Sequence, residues 1–540
     1  MSIKSNTRKI REYQKDGTKA ILNVPIGGSG QVIMPTGSGK TVVGEEGIKA
    51  VATASKQPTV SVVFVPRLLL GKQWIKRSAV SLLQQSGLPF AFININSGGV
   101  RREIKDLIAA AQMQIKGAGT PPLRTTTSPD EVRKEVSRLR KKGFHVIALS
   151  TYHSSGVLKD SGVRCDLGLF DECQYLVSAN AQETEYRLSM SIPMDRRIFM
   201  TATPRNTNSA EGQGMNNIEQ FGPVIFEKKP REIIEAGAIV GPKMHLIGSE
   251  HVIEGSDYDN RTEMLFRGHE RHKQEVKRNS FDPDRIGGKI LVVCDGQMML
   301  EGIMNCKRFK ELCKTNPDIK IFALCSTYGV YINGLHIAPP VSGAVKEDLL
   351  AALDALDPSE DAIILHVDMI AEGLDVPCLT GVIPLRNSNK IKLLQNLGRT
   401  SRLHPDDAYR IFETGTLKPG DYANYVKPNC YAILPYAIEN RDDFLDRNAT
   451  LIDAMRTEYG FDPSDSIICD ILHPAQNGPD WEEDKLKREI RSSAVAAVKE
   501  FYHLMEEESM TVDRMVQVNK LRRFTPDQVE QFIQMVANAR

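Results

Sequence analysis

The sequence predicts an α/β protein: two tandem doubly wound parallel-sheet domains followed by a mostly helical C-terminal region. Short apolar runs recur from residue 31 to 204, "QVIMPTG", "SVVFVPR", "FAFININ", "HVIALST", "LGLFDE" and "RIFMTATP", separated by amphipathic stretches. Continuous apolar runs in that setting read as buried parallel strands with crossover helices. The pattern stops around residues 220 to 243 and restarts with "KILVVCDG", "KIFALCS", "AIILHVDM" and "LTGVIPLR". Beyond residue 440 it fades, and Leu486, Ile490, Ala494, Val498, Phe501 and Met505 fall at helical spacing on one apolar stripe. The expected domains are therefore 1–240, 241–440 and a mostly helical 441–540. Residues 97–142 read as a basic, partly flexible insertion in the first domain. Thr525, Pro526 and Gln528 are placed to start a last helix as N-cap, first helical residue and N3 partner.

Length and composition bound the function classes. At 540 residues, with 41% hydrophobic and 25% charged side chains, the chain suits roughly two to four ordinary globular domains. No apolar run is long enough to span a bilayer, and the polar N-terminus lacks the apolar core of a secretory signal, so a cytoplasmic protein is expected, or host-cytoplasmic if viral. Nine cysteines without a C-x-x-C pair argue against a disulfide framework or a zinc site. A net charge of +1 means that any polyanion must be held by a local groove.

The chemistry begins at "MPTGSGKT", residues 34–41, between a strand and a helix-like stretch. A glycine-bearing strand-to-helix turn aims backbone N–H groups and the positive helix end into one concavity, where phosphate oxygens bind. Thr36, Gly37, Ser38 and Gly39 would form that cradle, Lys40 would hold the β and γ phosphates of ATP, and Thr41 would ligate Mg²⁺. Met34 stands where the general pattern has its first glycine. A P-loop of this kind needs a carboxylate for the metal and a group that orients water. Asp171 and Glu172, closing the run "LGLFDE", fit those roles in that order. In "QNLGRTSR", Arg399 and Arg402 lie three apart and share a helix face, as expected of a pair stabilising γ-phosphate charge.

Taken in order, "MPTGSGKT", "VPRLLLGKQW", "FDEC", "TATP", "IAEGLDVP" and "QNLGRTSR" resemble the motifs of superfamily 2 helicases across roughly residues 11–405. The details look most like phage DNA helicases and the motor subunits of type I and type III restriction enzymes. That resemblance implies RecA-like domains, and ATP with Mg²⁺ as cofactors. It implies that Gln14 reads adenine, that Gly373 and Asp375 line the nucleotide, and that Gln174, Thr201, Thr203 and Gln395 couple hydrolysis to domain movement. It also implies that Pro66, Arg67, Gln73, Thr151, Tyr152 and His153 track a nucleic-acid backbone, with Tyr152 able to stack on a base. Gln174 stands where relatives usually have Asp or His; an amide donates and accepts without titrating, which suits coupling.

The expected activity is an ATP-dependent helicase or translocase acting on DNA rather than RNA, with the C-terminal helices open to a protein partner. Alternatives are a duplex translocase or annealing motor, an RNA-dependent ATPase, and a non-catalytic sensor or scaffold. Two tempting signals fall away. Glu483 and Lys485 resemble a nuclease acid-x-Lys pair, yet lie in a helical run. His269 and His272 are three apart without a further ligand nearby, as on a solvated basic helix.

Overall fold

The computed structural model describes residues 10–67, 70–71, 74–75, 78–84, 86–96, 124–177, 185–207, 214–249, 257–325, 330–332, 335–337, 352–367, 376–385, 390–437, 441–462, 467–471 and 480–507. The chain divides into two compact units after Ile233.

The first unit is built on eight strands: β1 (Gly28–Ile33), β2 (Val60–Val65), β3 (Phe90–Ile95), β4 (Arg124–Thr126), β5 (His145–Thr151), β6 (Leu167–Asp171), β7 (Arg196–Thr201) and β8 (Val224–Glu227). Their order is β4-β3-β5-β2-β6-β7-β1-β8, and every pairing is parallel. The runs that read as continuously apolar, β2, β3, β5 and β6, are buried at every residue, as helix-covered parallel strands must be. Register aligns Phe64, Phe170 and Phe199 on three neighbouring strands, with ring centroids 5.0 and 4.7 Å apart. The same register sets the carboxyl ends of β1, β6 and β7 side by side, since Ile33 pairs with Thr201 and Asp171 with Met200. Motifs more than a hundred residues apart thus meet on one sheet edge.

The stretch expected as an insertion needs correction over 124–142. β4 pairs with β3, and helix Pro129–Lys141 sends Val132, Val136 and Leu139 into the core, so this part belongs to the domain. Residues 97–123 lie outside the described residues.

The second unit carries β9 (Gly241–Ser249), β10 (Lys289–Val293), β11 (Lys320–Leu324), β12 (Val330–Ile332), β13 (Leu335–Ile337), β14 (Ala362–His366), β15 (Gly381–Pro384), β16 (Asn429–Ala437) and β17 (Ile467–Ile471). The order is β13-β12-β11-β14-β10-β15-β16-β9-β17, parallel except for the antiparallel ribbon β11-β12-β13. Within the C-terminal region β17, "IICDI", extends the second sheet alongside β9, a strand the sequence pattern did not announce. Its five residues were too few and too polar at Asp470 to declare a strand. Helices Arg441–Thr457 and Asp480–Glu507 flank it. Ile490, Ala494, Val498 and Phe501 of the expected stripe are fully buried. The stretch with Glu483 and Lys485 is helical. Thr525, Pro526 and Gln528 fall outside the described residues.

His269 and His272 correct a second expectation. Both are fully buried, not solvated: His269 Nε2 meets the Gly288 carbonyl at 2.8 Å and His272 Nε2 meets Thr380 Oγ1 at 2.8 Å. They pack the helix Tyr258–Asn279 onto the sheet.

Candidate nucleotide site and its hydrogen-bonded relay

The loop after β1 turns into helix α2, Lys40–Ala54, after Gly39. Gly37 and Gly39 adopt φ of 86° and 89°, the left-handed region that side chains resist. Gly39 is needed for space as well, because a Cβ there would lie 2.2 Å from Gln14 Nε2. Helix α1, Glu12–Leu22, braces this loop. Tyr13 donates its hydroxyl to the Ser38 carbonyl at 2.6 Å, and Gln14 Nε2 donates to the same oxygen at 3.2 Å. Gln14 Oε1 accepts from the Arg11 N–H at 3.0 Å. Each end of that amide keeps one further hydrogen-bonding capacity, which is what an adenine edge would take. Ser38 Oγ closes the turn on the Pro35 carbonyl at 2.7 Å. Thr36 and Thr41 are half-buried at the loop's two ends.

Lys40 lies almost buried, with Nζ 3.1 Å from Glu172 Oε1 and 3.6 Å from Asp171 Oδ1. Burial pulls the ammonium down, but Glu172 and Asp171 outweigh it and leave Lys40 above its ordinary value, so it stays charged. Burial pushes Asp171 up, more than Lys40 draws it down. One ammonium facing two carboxylates leaves a pocket short of positive charge, which a divalent cation would supply. Thr41 Oγ1 and the Asp171 carboxylate are hard oxygen donors suited to Mg²⁺, which takes few protein ligands and keeps substrate phosphates and water. Among the described residues there is no cluster of three or more His, Cys, Asp or Glu side chains placed to hold a metal.

From Glu172 a chain of hydrogen bonds leads away. Glu172 itself takes φ of 51°, a strained conformation for a side-chain-bearing residue, which turns its carboxylate back toward Lys40. Gln174 Nε2 donates to Glu172 Oε2 at 2.8 Å, Thr201 Oγ1 donates to Gln174 Oε1 at 2.6 Å, and the Thr203 N–H donates to Thr201 Oγ1 at 3.0 Å. A glutamine at 174 is thus used at both ends, one to donate and one to accept. Thr203 Oγ1 is buried without a hydrogen-bond partner among the described residues.

The residues expected to follow nucleic acid do not share one character. Tyr152 is a correction: it is fully buried and donates to the Asp171 carbonyl at 2.8 Å, so it supports the carboxylate strand and has no face for a base. Thr151 is buried and caps the next turn by accepting from the Ser154 N–H at 3.2 Å. Pro66 is buried, while Arg67 and His153 are exposed, the latter edge-on to Tyr186 at 4.6 Å. Gln73, Gly373 and Asp375 lie outside the described residues.

In the second unit, Gln395 and Arg399 are nearly buried on helix Lys390–Thr400, and Arg402 follows it. The main chain here is pinned twice. Val240 N–H donates to the Ser401 carbonyl at 2.8 Å, and buried Lys427 donates from Nζ to the carbonyls of Thr400 and Arg402, both at 2.6 Å. Burial pulls the Lys427 ammonium down. Sequence reasoning missed Tyr13, Tyr152 and Lys427 in these supporting roles, because their partners are backbone carbonyls, which leave no trace in sequence. The buried thiol nearest the site, Cys173, is pushed well up by burial and has no nucleophilic character.

Residues 7–206 match the family model described as "Type III restriction enzyme, res subunit". That segment holds the loop, the carboxylates and the relay, and forms a superfamily 2 helicase-like domain. No curated protein sequence matches the chain. Among solved structures, the chain is similar to the ATP-dependent Type ISP restriction-modification enzyme LlaBIII bound to DNA, at 18% identity and TM-score 0.58, covering 90% of this chain and 33% of that one. It also aligns with a fragment of a putative HsdR subunit of a type I restriction enzyme from Vibrio vulnificus YJ016, at 16% identity and TM-score 0.47, covering 86% and 70%. A third is S. cerevisiae Dbp5 bound to RNA and ADP BeF3, at 11% identity and TM-score 0.48, covering 89% and 93%. The likeness to LlaBIII is one of fold, tandem RecA-like domains, and this chain spans about a third of that enzyme's length.

Proposed function

We propose that the chain is an ATP-hydrolysing motor that acts on DNA, as a helicase or translocase. The observation that carries this is the relay from Lys40 through Glu172, Gln174 and Thr201 to Thr203. A simple phosphate-binding turn needs none of it. A machine that must report the state of a γ-phosphate to another part of the chain needs such a link, because a shift of Glu172 changes what Gln174 can accept and donate. In this reading the loop amides and Lys40 bind the phosphates, Glu172 holds the attacking water, and Asp171 with Thr41 holds Mg²⁺, which supplies charge neutralisation when bound. Arg399 and Arg402 are assigned to the charge developing on the γ-phosphate. DNA is favoured over RNA by the restriction-motor family match at residues 7–206.

Steady-state ATP hydrolysis by wild type and Lys40→Ala tests it, without polymer and with single-stranded, duplex and forked DNA and RNA. Lys40-dependent hydrolysis stimulated by DNA is expected. Hydrolysis indifferent to every polymer would overturn the motor assignment, and stimulation by RNA alone would overturn the choice of DNA.

A further inference from the structure

We propose that a cationic groove in the second unit, outside every motif segment, is a second nucleic-acid contact that grips phosphates without reading bases. For its ligand the inference rests on the DNA-motor reading. The groove encloses about 710 Å³ between the start of β9, the last turn of helix Tyr258–Asn279, the strand β17 and the first turns of helix Asp480–Glu507. Its cations are Lys243, Arg278, Lys487, Arg488 and Arg491, brought from three elements.

Two carboxylates line it as well, Glu275 and Asp484, so five cations against two acids leave an excess of three. That local excess is larger than the net +1 of the whole chain. Glu275 is already engaged, with Arg278 at 3.8 Å and with Asn279 Nδ2 at 2.6 Å. The side chains of Lys243 and Arg491 make neither a hydrogen bond nor an ion pair among the described residues. Lys487, Arg488 and Arg491 sit at i, i+1 and i+4, so they span about 6 Å of helix and match about two phosphates. Among the described residues β17 is the last strand of its sheet, and Ile467, Ile468 and Cys469 line the groove beside the cations. Convergent guanidinium groups over a partly apolar floor suit a phosphodiester strand, which offers oxygens at regular spacing and no need for base readout.

The test uses the full chain and labelled single-stranded and duplex DNA, with affinity read by fluorescence anisotropy across a salt series. Arg488→Glu/Arg491→Glu reverses two exposed charges, and Arg488→Lys/Arg491→Lys keeps them. The reversed variant is expected to bind roughly tenfold or more weakly near 0.1 M salt, with the log–log salt slope reduced by about 1 to 2. The lysine variant should bind as wild type does, and polymer-free, Lys40-dependent ATP hydrolysis should be the same in all three. Alkylation of Cys469, mapped by mass spectrometry, should be slowed by DNA in wild type and not in the reversed variant. If wild type binds DNA and the reversed variant binds equally with an unchanged slope, the groove assignment fails while the motor reading stands. If wild type shows no polymer-stimulated hydrolysis and no DNA binding, the motor reading fails and takes this inference with it.

Discussion

Replacing Gln174 by leucine tests the relay directly. The substitution removes the acceptor of the Thr201 hydroxyl, which is wholly buried, and the donor to Glu172 Oε2. A buried hydroxyl stripped of its acceptor costs about 1–3 kcal/mol. Glu172 adds little, because its side chain is partly exposed and keeps Lys40 at 3.1 Å. We take about 2 kcal/mol in sum, which for a unit of this size lowers the melting temperature by about 4–8 °C. Lys40 and Glu172 remain in place, so polymer-free hydrolysis should persist within about threefold while stimulation by DNA falls at least tenfold (about 1.4 kcal/mol of coupling). Gln174→Glu sharpens the test. Its carboxylate would face Glu172 at the present 2.8 Å separation, and two such groups share one proton. Protonated, it can donate to Glu172 and accept from Thr201 as the amide does, so stimulation in this variant should recover as pH falls toward 5.5. Melting and stimulation of Gln174→Leu equal to wild type would refute the relay.

Three further outcomes are expected. Gly39→Ala places a Cβ 2.2 Å from Gln14 Nε2 at a left-handed φ, so it should weaken binding of a fluorescent ATP analogue at least tenfold; wild-type affinity would show that the loop does not bind phosphate as described. Lys427→Met leaves the Thr400 and Arg402 carbonyls without their shared donor, at about 1–3 kcal/mol each less the relief of no longer burying an ammonium. It should lower kcat for ATP with little change in analogue affinity, and an unchanged kcat would remove Lys427 from the support of Arg399 and Arg402. Acid should unfold the second unit early. Burial pulls His269, His272 and His404 below their ordinary value, so the unfolded chain takes up protons near pH 6.5 while the folded unit does not. Stability is therefore full above that pH and falls below it, by up to about 1.4 kcal/mol per pH unit for each histidine. Urea midpoints measured from pH 7.5 to 5.5 should decline, and a flat or rising series would contradict the burial.

What was legible in the sequence follows from which interactions leave a side-chain signature. Continuous apolar runs announced the inner strands of both sheets, because burial on both faces forces composition. "TGSGKT" announced the loop because only glycine reaches φ of 86° and 89° without strain. Asp171 and Glu172 could be paired with that loop by chemistry before the register of β6 and β7 showed how they meet. The misreadings share the opposite cause. Tyr152 looked available for a base, yet its hydroxyl is spent on a carbonyl of the very strand that ends in Asp171. β17 went unseen because its strand character comes from pairing with β9, not from its own alternation.

The same logic explains Gln174 most fully. In sequence it is a departure from Asp or His, neutral where a charge is usual. In the fold its neighbours are a carboxylate that only accepts and a threonine hydroxyl that must also donate onward, since its oxygen already receives the Thr203 N–H. The position therefore needs one donor and one acceptor at fixed places. An aspartate would offer no donor to Glu172, and a histidine would offer the pair only in one tautomer and would gain charge near neutral pH. An amide satisfies both neighbours without titrating, so the relay from Lys40 to Thr203 does not depend on a proton gained or lost at position 174.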